Sequence, residues 1–345
     1  MNASAKERVV VIDALRVFAS IQMVQGHTID ALLDPRFAQG RAYEVWSYLR
    51  GLTSVAFLFA AGLAFYLTTL ADIDAHLSKP GAVRHRYTRA LLLIGIGYAL
   101  HLPRPFFIAD ILQCIGLSLL FLETLVVLCR RSWLVIVGAL AASIGMLTLA
   151  PASSHWIPSG TFAFVTAYFT QRGGSIFPLT PWAAYLMLGV ACGAFVLREA
   201  NATSRQKTAV RLSVATAAAF LMASATKVLD RHDSPAMNVS FSLQKLALVV
   251  LLTAILAWST VFVARLPRWL EALAGETLSI YVVHLLVLYG AGVGLTYLVG
   301  HVLMPFTAIS AALTMCAISA AAGLGSWKLK QYRAQKKVDS VTGVR

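Results

Sequence analysis

Stretches of about 20 mostly apolar residues recur ten times along this chain, near 9–32, 46–70, 87–102, 106–129, 132–150, 176–197, 208–228, 241–264, 272–299 and 302–327. A helix needs about 20 such residues to cross a bilayer core about 30 Å thick. Inside hydrocarbon the backbone must satisfy its own N–H and C=O groups, which a helix does within one segment. The pattern predicts an all-α fold, a polytopic membrane helix bundle of about ten transmembrane helices. Composition agrees: 58% of the 345 residues are hydrophobic and 13% charged, against about 25% charged in soluble domains. The short connections leave no room for a second domain. The reading is one transmembrane domain over 1–327 and a basic cytoplasmic tail over 328–345. The longest connection, 151–175, carries the string TFAFVTAYF, which suits an interfacial or re-entrant piece.

The net charge of +14 does not point to nucleic acid, because the cations cluster in short loops between apolar runs, where they set topology. With the N-terminus inside, 20 Lys and Arg residues fall on inner segments and 7 on outer ones. This asymmetry predicts both termini on the cytoplasmic side of an inner (cytoplasmic) membrane. Lys6 and Arg8 precede the first run, which is too long and too charged for a signal peptide. The four cysteines, Cys114, Cys129, Cys192 and Cys316, all lie in apolar segments without CxxC spacing. They read as small buried hydrophobes, and no metal site is expected.

The first run, VVVIDALRVFASIQMVQGHTIDAL, holds Asp13, Arg16, His27 and Asp30. An ionisable group at bilayer depth costs about 2.5–3.5 kcal/mol on insertion scales, so these side chains need partners, a wet cavity or chemistry. Asp13 and Arg16, three apart, share a helix face. They read as a local ion pair bracing the helix or as a substrate contact. Arg16 and His27 share a stripe but stand about 16 Å apart along the axis. Asp30 lies one turn beyond His27. A carboxylate bonded to one imidazole nitrogen fixes the tautomer and makes the other a better base.

Other spans carry polar groups at their outer ends. Asp110 and Gln113, three apart, open the fourth span. Arg50 stands at the entrance of the second, as a snorkelling cation or a contact for an anion. Pro178 and Pro181 suit the start of the sixth, followed by Trp182, an interfacial anchor or a pocket wall. Gly189 and Gly193 predict close helix packing. His284 lies mid-span in the ninth and reads as a packing histidine or a second polar group of a site. Glu123 and Lys245 are intramembrane without an assigned role.

The string IDALRVFASIQMVQGH resembles the opening of the membrane-bound acyltransferases related to heparan-alpha-glucosaminide N-acetyltransferase, a D-x-x-R-G helix followed about eleven residues on by His or Asn. DILQCIG is similar to their V-L-Q-R-I-G segment, and FPLTPWAAYLMLGVACG to their F-P-L-x-P-W…G…G segment. LSIYVVH is shared with them and with the broader acyltransferase-3 group. One departure is Val17, which stands where the pattern has Gly. The resemblance implies a bundle of ten or eleven transmembrane helices. It also implies transfer of an acetyl group from cytoplasmic acetyl-CoA, or another acyl-CoA, to an acceptor on the far side, often a sugar or glycan. It matches His27 to the helix-one histidine.

The resulting expectation is an acyl-CoA-dependent acyltransferase. His27 acts as general base on an acceptor hydroxyl or amine, or carries the acyl group itself, and Asp30 orients it. Gln113 or Arg16 stabilises an oxyanion or holds the donor. Asp13, Arg50, Asp110, Trp182 and His284 complete the binding residues. Arg84, Arg86, Arg89, Arg130 and Arg131 meet the CoA phosphates. The expected partners are the lipid bilayer, acyl-CoA and a small-molecule or glycan acceptor, with a homodimer left open. A secondary transporter with a midplane site is the rival reading, although the chain shows no repeated half.

Overall fold

The computed structural model describes residues 9–100, 108–197, 205–230, 238–263, 265–290 and 293–342. Lys6, Arg8, Arg104, Arg198, Arg231 and Arg345, which contribute to the charge asymmetry, lie outside the described residues. The helices are α1 (Val10–Leu32), α2 (Arg41–Arg50), α3 (Thr53–Thr68), α4 (Ile73–Ser78), α5 (Ala82–Leu100), α6 (Ile111–Cys129), α7 (Ser132–Ser153), α8 (Ala163–Ala167), α9 (Leu179–Val196), α10 (Arg205–Ala225), α11 (Val239–Thr260), α12 (Arg268–Gly275), α13 (Thr277–Tyr289), α14 (Leu295–Val299) and α15 (Pro305–Thr342). No β-strand occurs among the described residues, only an isolated bridge between Leu33 and Leu303.

Among the described residues, seven helical stretches are long and apolar enough to cross a membrane: Arg41–Ser78, Ile111–Cys129, Ser132–Ser153, Leu179–Val196, Arg205–Leu229, Val239–Thr260 and Pro305–Lys336. The pair α12 and α13, bent by 69°, makes an eighth if it forms one broken span. The ten spans expected from the sequence are therefore not reached on length and apolarity. The shortfall is α1 and α5, of 23 and 19 residues, whose charged side chains dilute their apolar runs. Bulky apolar residues stand exposed on the helices, among them Leu128, Leu221 and Phe306 at 71%, 71% and 80%. Water would penalise such surface and lipid tails do not. The chain is a multi-pass helical membrane protein.

The contacts group the chain into two units, one of 1–12 and 54–264 and one of 13–53 and 265–345. In the first unit, α5 pairs with α6, α7 with α9, and α10 with α11. Asp110 precedes α6 as its N-cap, and its backbone N–H donates to Gln113 Oε1 at 3.2 Å in a capping box. That bond satisfies a donor the helix start would otherwise orphan. Pro178 stands at the N-cap of α9, and the glycines of that helix are packing residues. A Cβ on Gly62 of α3 would run into the Leu186 carbonyl oxygen, and one on Gly193 would sit 2.8 Å from Tyr66 Cβ. Small residues let the two backbones approach where no side chain fits. The TFAFVTAYF string forms a 3-10 turn and the five-residue α8.

In the second unit, α13 and α12 pack on α15. Glu276, in the break between α12 and α13, is 5% exposed. It accepts from Lys330 Nζ at 2.6 and 2.7 Å and from the hydroxyls of Ser279 and Ser326 at 2.8 Å each. The bend is thus tied to α15, whose helix continues through much of the region expected as a basic tail. The C-terminal end of α1 is tied as well. His301 N–H donates to Ala31 O, Leu303 N–H to Leu32 O, and Asp34 N–H to Leu303 O, at 3.2, 2.9 and 3.0 Å. Carbonyls that a helix end leaves unpaired are met by the 301–303 segment.

Candidate active site

In the second unit, His27 reaches from α1 to His284 on α13. His27 Nδ1 lies 2.9 Å from His284 Nε2, and the rings stack with centroids 5.1 Å apart at 26°. His284 is fully buried, and its Nδ1 is 2.9 Å from the Ile280 carbonyl oxygen. A carbonyl only accepts, so Nδ1 of His284 carries its proton. In a neutral imidazole the other nitrogen is then an acceptor. The single proton between the two rings therefore belongs to His27 Nδ1. This leaves the lone pair of His27 on Nε2, which has no hydrogen-bond partner among the described residues. The chain of contacts prepares one nitrogen to take a proton or attack a carbonyl. Tyr281 meets His284 edge-on at 5.6 Å, and the Tyr289 hydroxyl donates to the His27 carbonyl oxygen at 3.3 Å. Tyr289 thus adds a second tie between α13 and His27.

Asp30 was expected on the His27 ring. It pairs instead with Arg50 of α2. A guanidinium offers a carboxylate a charge-assisted bond, roughly twice as strong as a neutral one. The Arg50 guanidinium also lies 5.5 Å from the centre of the Trp46 ring, whose Nε1 donates to Gln25 Oε1 at 3.1 Å. Gly26 leaves space for the Arg50 stem, since a Cβ there would stand 2.8 Å from Arg50 Cγ. Asp13 and Arg16 form the expected i,i+3 ion pair at 3.8 Å.

Asp110, Gln113 and Trp182 belong to the first unit. Gln113 is fully buried and its Nε2 is unpartnered, as is the buried Nε1 of Trp182. Trp182 packs edge-on against Phe177, with centroids 4.8 Å apart. The Tyr98 hydroxyl bonds that of Tyr168. Burial, and then this bond, push the Tyr168 phenol well above its ordinary pKa.

Two polar pairs escaped the sequence. Glu123 binds His76 Nε2 through Oε1 at 2.8 Å, both residues being buried. Its partner lies 47 residues away, and an isolated intramembrane Glu signals only that a partner exists. Glu276 sits beside a helix break that apolar periodicity does not reveal.

No curated protein matches the chain. The family profile described as "Heparan-alpha-glucosaminide N-acetyltransferase, catalytic" matches residues 8–229, which takes in α1 to α10 and His27 but stops short of His284. By that match the chain is a transmembrane acetyltransferase in general type, a member of the heparan-alpha-glucosaminide N-acetyltransferase catalytic family.

Proposed function

We propose that this protein moves an acetyl or other short acyl group from cytoplasmic acyl-CoA to a hydroxyl or amine of an acceptor, a sugar or glycan, at the outer side of an inner (cytoplasmic) membrane. The observation that carries the reading is the ordered contact from the Ile280 carbonyl through His284 to His27, which leaves His27 Nε2 as a base. His27 Nε2 takes the proton of the acceptor hydroxyl or amine as its oxygen or nitrogen attacks the thioester carbonyl. The carbon–sulfur bond breaks, and the proton passes to the departing CoA thiolate. General base catalysis of this kind contributes about 10²–10⁴-fold. His284 shares the positive charge while the proton resides on His27. Arg50, held by Asp30 and Trp46, is the cation for an anionic group of a substrate. Arg84, Arg86, Arg89, Arg130 and Arg131 meet the CoA phosphates as charge-assisted donors.

The test uses purified protein in detergent with acetyl-CoA and a glucosamine acceptor, reading thiol release and acetylated product. Both are expected, and His27→Ala should abolish them without loss of folded protein. Undiminished transfer by His27→Ala would overturn the role of His27. Solute uptake without release of CoA would favour a carrier.

A further inference from the structure

In the first unit, the starts of α6 and α9 are tied together. The Ala109 carbonyl oxygen accepts the N–H groups of Ile176 and Phe177, both at 3.0 Å. The Ala109 N–H donates to Ser175 Oγ at 2.9 Å, and that hydroxyl donates to the Ala167 carbonyl oxygen at 2.6 Å. One turn inside each helix stands a buried donor with no acceptor: Gln113 Nε2 on α6 and Trp182 Nε1 on α9. Gln113 touches the Ala109–Asp110 dipeptide directly, and Trp182 reaches it through Phe177. Gln113 Oε1 accepts the Asp110 N–H, and the Trp182 ring rests on Phe177, whose N–H is on Ala109.

The orientation of the Gln113 amide is fixed by its surroundings. Its oxygen must face the Asp110 N–H, so its NH₂ is the group left over. The amide also lies against Gly97 of α5, where any Cβ would collide with it. A buried donor without an acceptor costs about 1–3 kcal/mol, and most buried polar groups have partners. Two such donors beside one pinned junction mark a place where a ligand supplies the acceptor. The neighbouring Asp110 carboxylate disfavours a full negative charge there, which leaves a neutral oxygen such as a carbonyl.

We propose that Gln113 Nε2 and Trp182 Nε1 form a binding site for the acyl carbonyl oxygen of the thioester donor. The proposal rests on the acyl-CoA reading above. Its consequence is that the protein distinguishes acetyl-CoA from CoA, because only the former carries that oxygen.

The experiment measures the Kd of full-length protein for acetyl-CoA and for CoA, in wild type, Trp182→Phe and Gln113→Glu. Trp182→Phe keeps an aromatic ring and removes the N–H. Gln113→Glu keeps an acceptor for the Asp110 N–H and removes the NH₂. The wild type should bind acetyl-CoA about tenfold more tightly than CoA, the worth of about 1.4 kcal/mol. Each variant should lose most of that preference while its affinity for CoA stays within about twofold. Trp182→Phe should also melt within a few degrees of wild type without ligand, since the N–H it removes has no partner. Equal preference in wild type and variants would overturn the site, as would matched losses for both ligands. Absence of binding of either compound to the wild type would instead sink the acyl-CoA reading itself.

Discussion

His284 stands 257 residues from His27 in sequence and 2.9 Å away in space. The histidine of α1 was legible because an ionisable group in an apolar run demands an explanation. Its partner was not, because helical spacing reports only neighbours three and four residues away. Local spacing favoured Asp30, but a carboxylate gains more from the Arg50 guanidinium than from a neutral imidazole. In the proposed mechanism the orienting role therefore passes to His284, the group that His27 Nδ1 meets. His284→Ala should lower kcat by about tenfold to a hundredfold with little change in the KM for acetyl-CoA. His284→Gln, whose amide oxygen can accept the His27 Nδ1 proton, should recover part of the loss. A merely structural histidine would show no such rescue. Gly26→Ala is a separate test of how Arg50 is held. The added methyl crowds the Arg50 stem, so the variant should lose about 1–3 kcal/mol of stability, read as a lower Tm in detergent.

Helices emerge where apolar runs are long, and this part of the structure was open to reading from sequence. The stop within the ninth run was not. Periodicity there predicts one span over 272–299, yet the helix breaks at Glu276 and α13 ends at Tyr289. Among the described residues, the carboxylate of Glu276 is satisfied by Lys330, Ser279 and Ser326, two of which come from a helix some 50 residues later. The glycines of α9, by contrast, announced their purpose. Their spacing implied close packing, and α3 supplies the surface they meet. Gly62→Ala should therefore act on the α3–α9 pair as a whole. A methyl there confronts backbone, which cannot rotate aside, so we expect a loss of at least about 1–3 kcal/mol. Gel filtration and thermal melting should show less monodisperse protein and a lower Tm.

At the scale of the molecule, the uneven distribution of Lys and Arg is the property no single helix possesses. Both termini are proposed to face the cytoplasm. Reporters active only in the cytoplasm, fused singly to each end, should both give signal, and a reporter inserted in the 151–175 connection should give none. Signal from that connection would reverse the topology. The family match ends at residue 229, whereas the ring that His27 meets belongs to residue 284. Pairing these two required the second unit to gather its helices from both ends of the chain.

The hydrogen bonds joining the end of α1 to residues 301–303 have a consequence in time. Helix ends normally fray on fast timescales and their amides exchange readily with solvent. Here the amides of Asp34, His301 and Leu303 are all engaged across the junction, only a turn or two beyond His27. They should exchange slowly and together, as one opening event. Pro substitution at Leu303 would remove one of these donors, and the resulting rise in exchange around residues 31–34 would measure how tightly the imidazole is kept from drifting between turnovers.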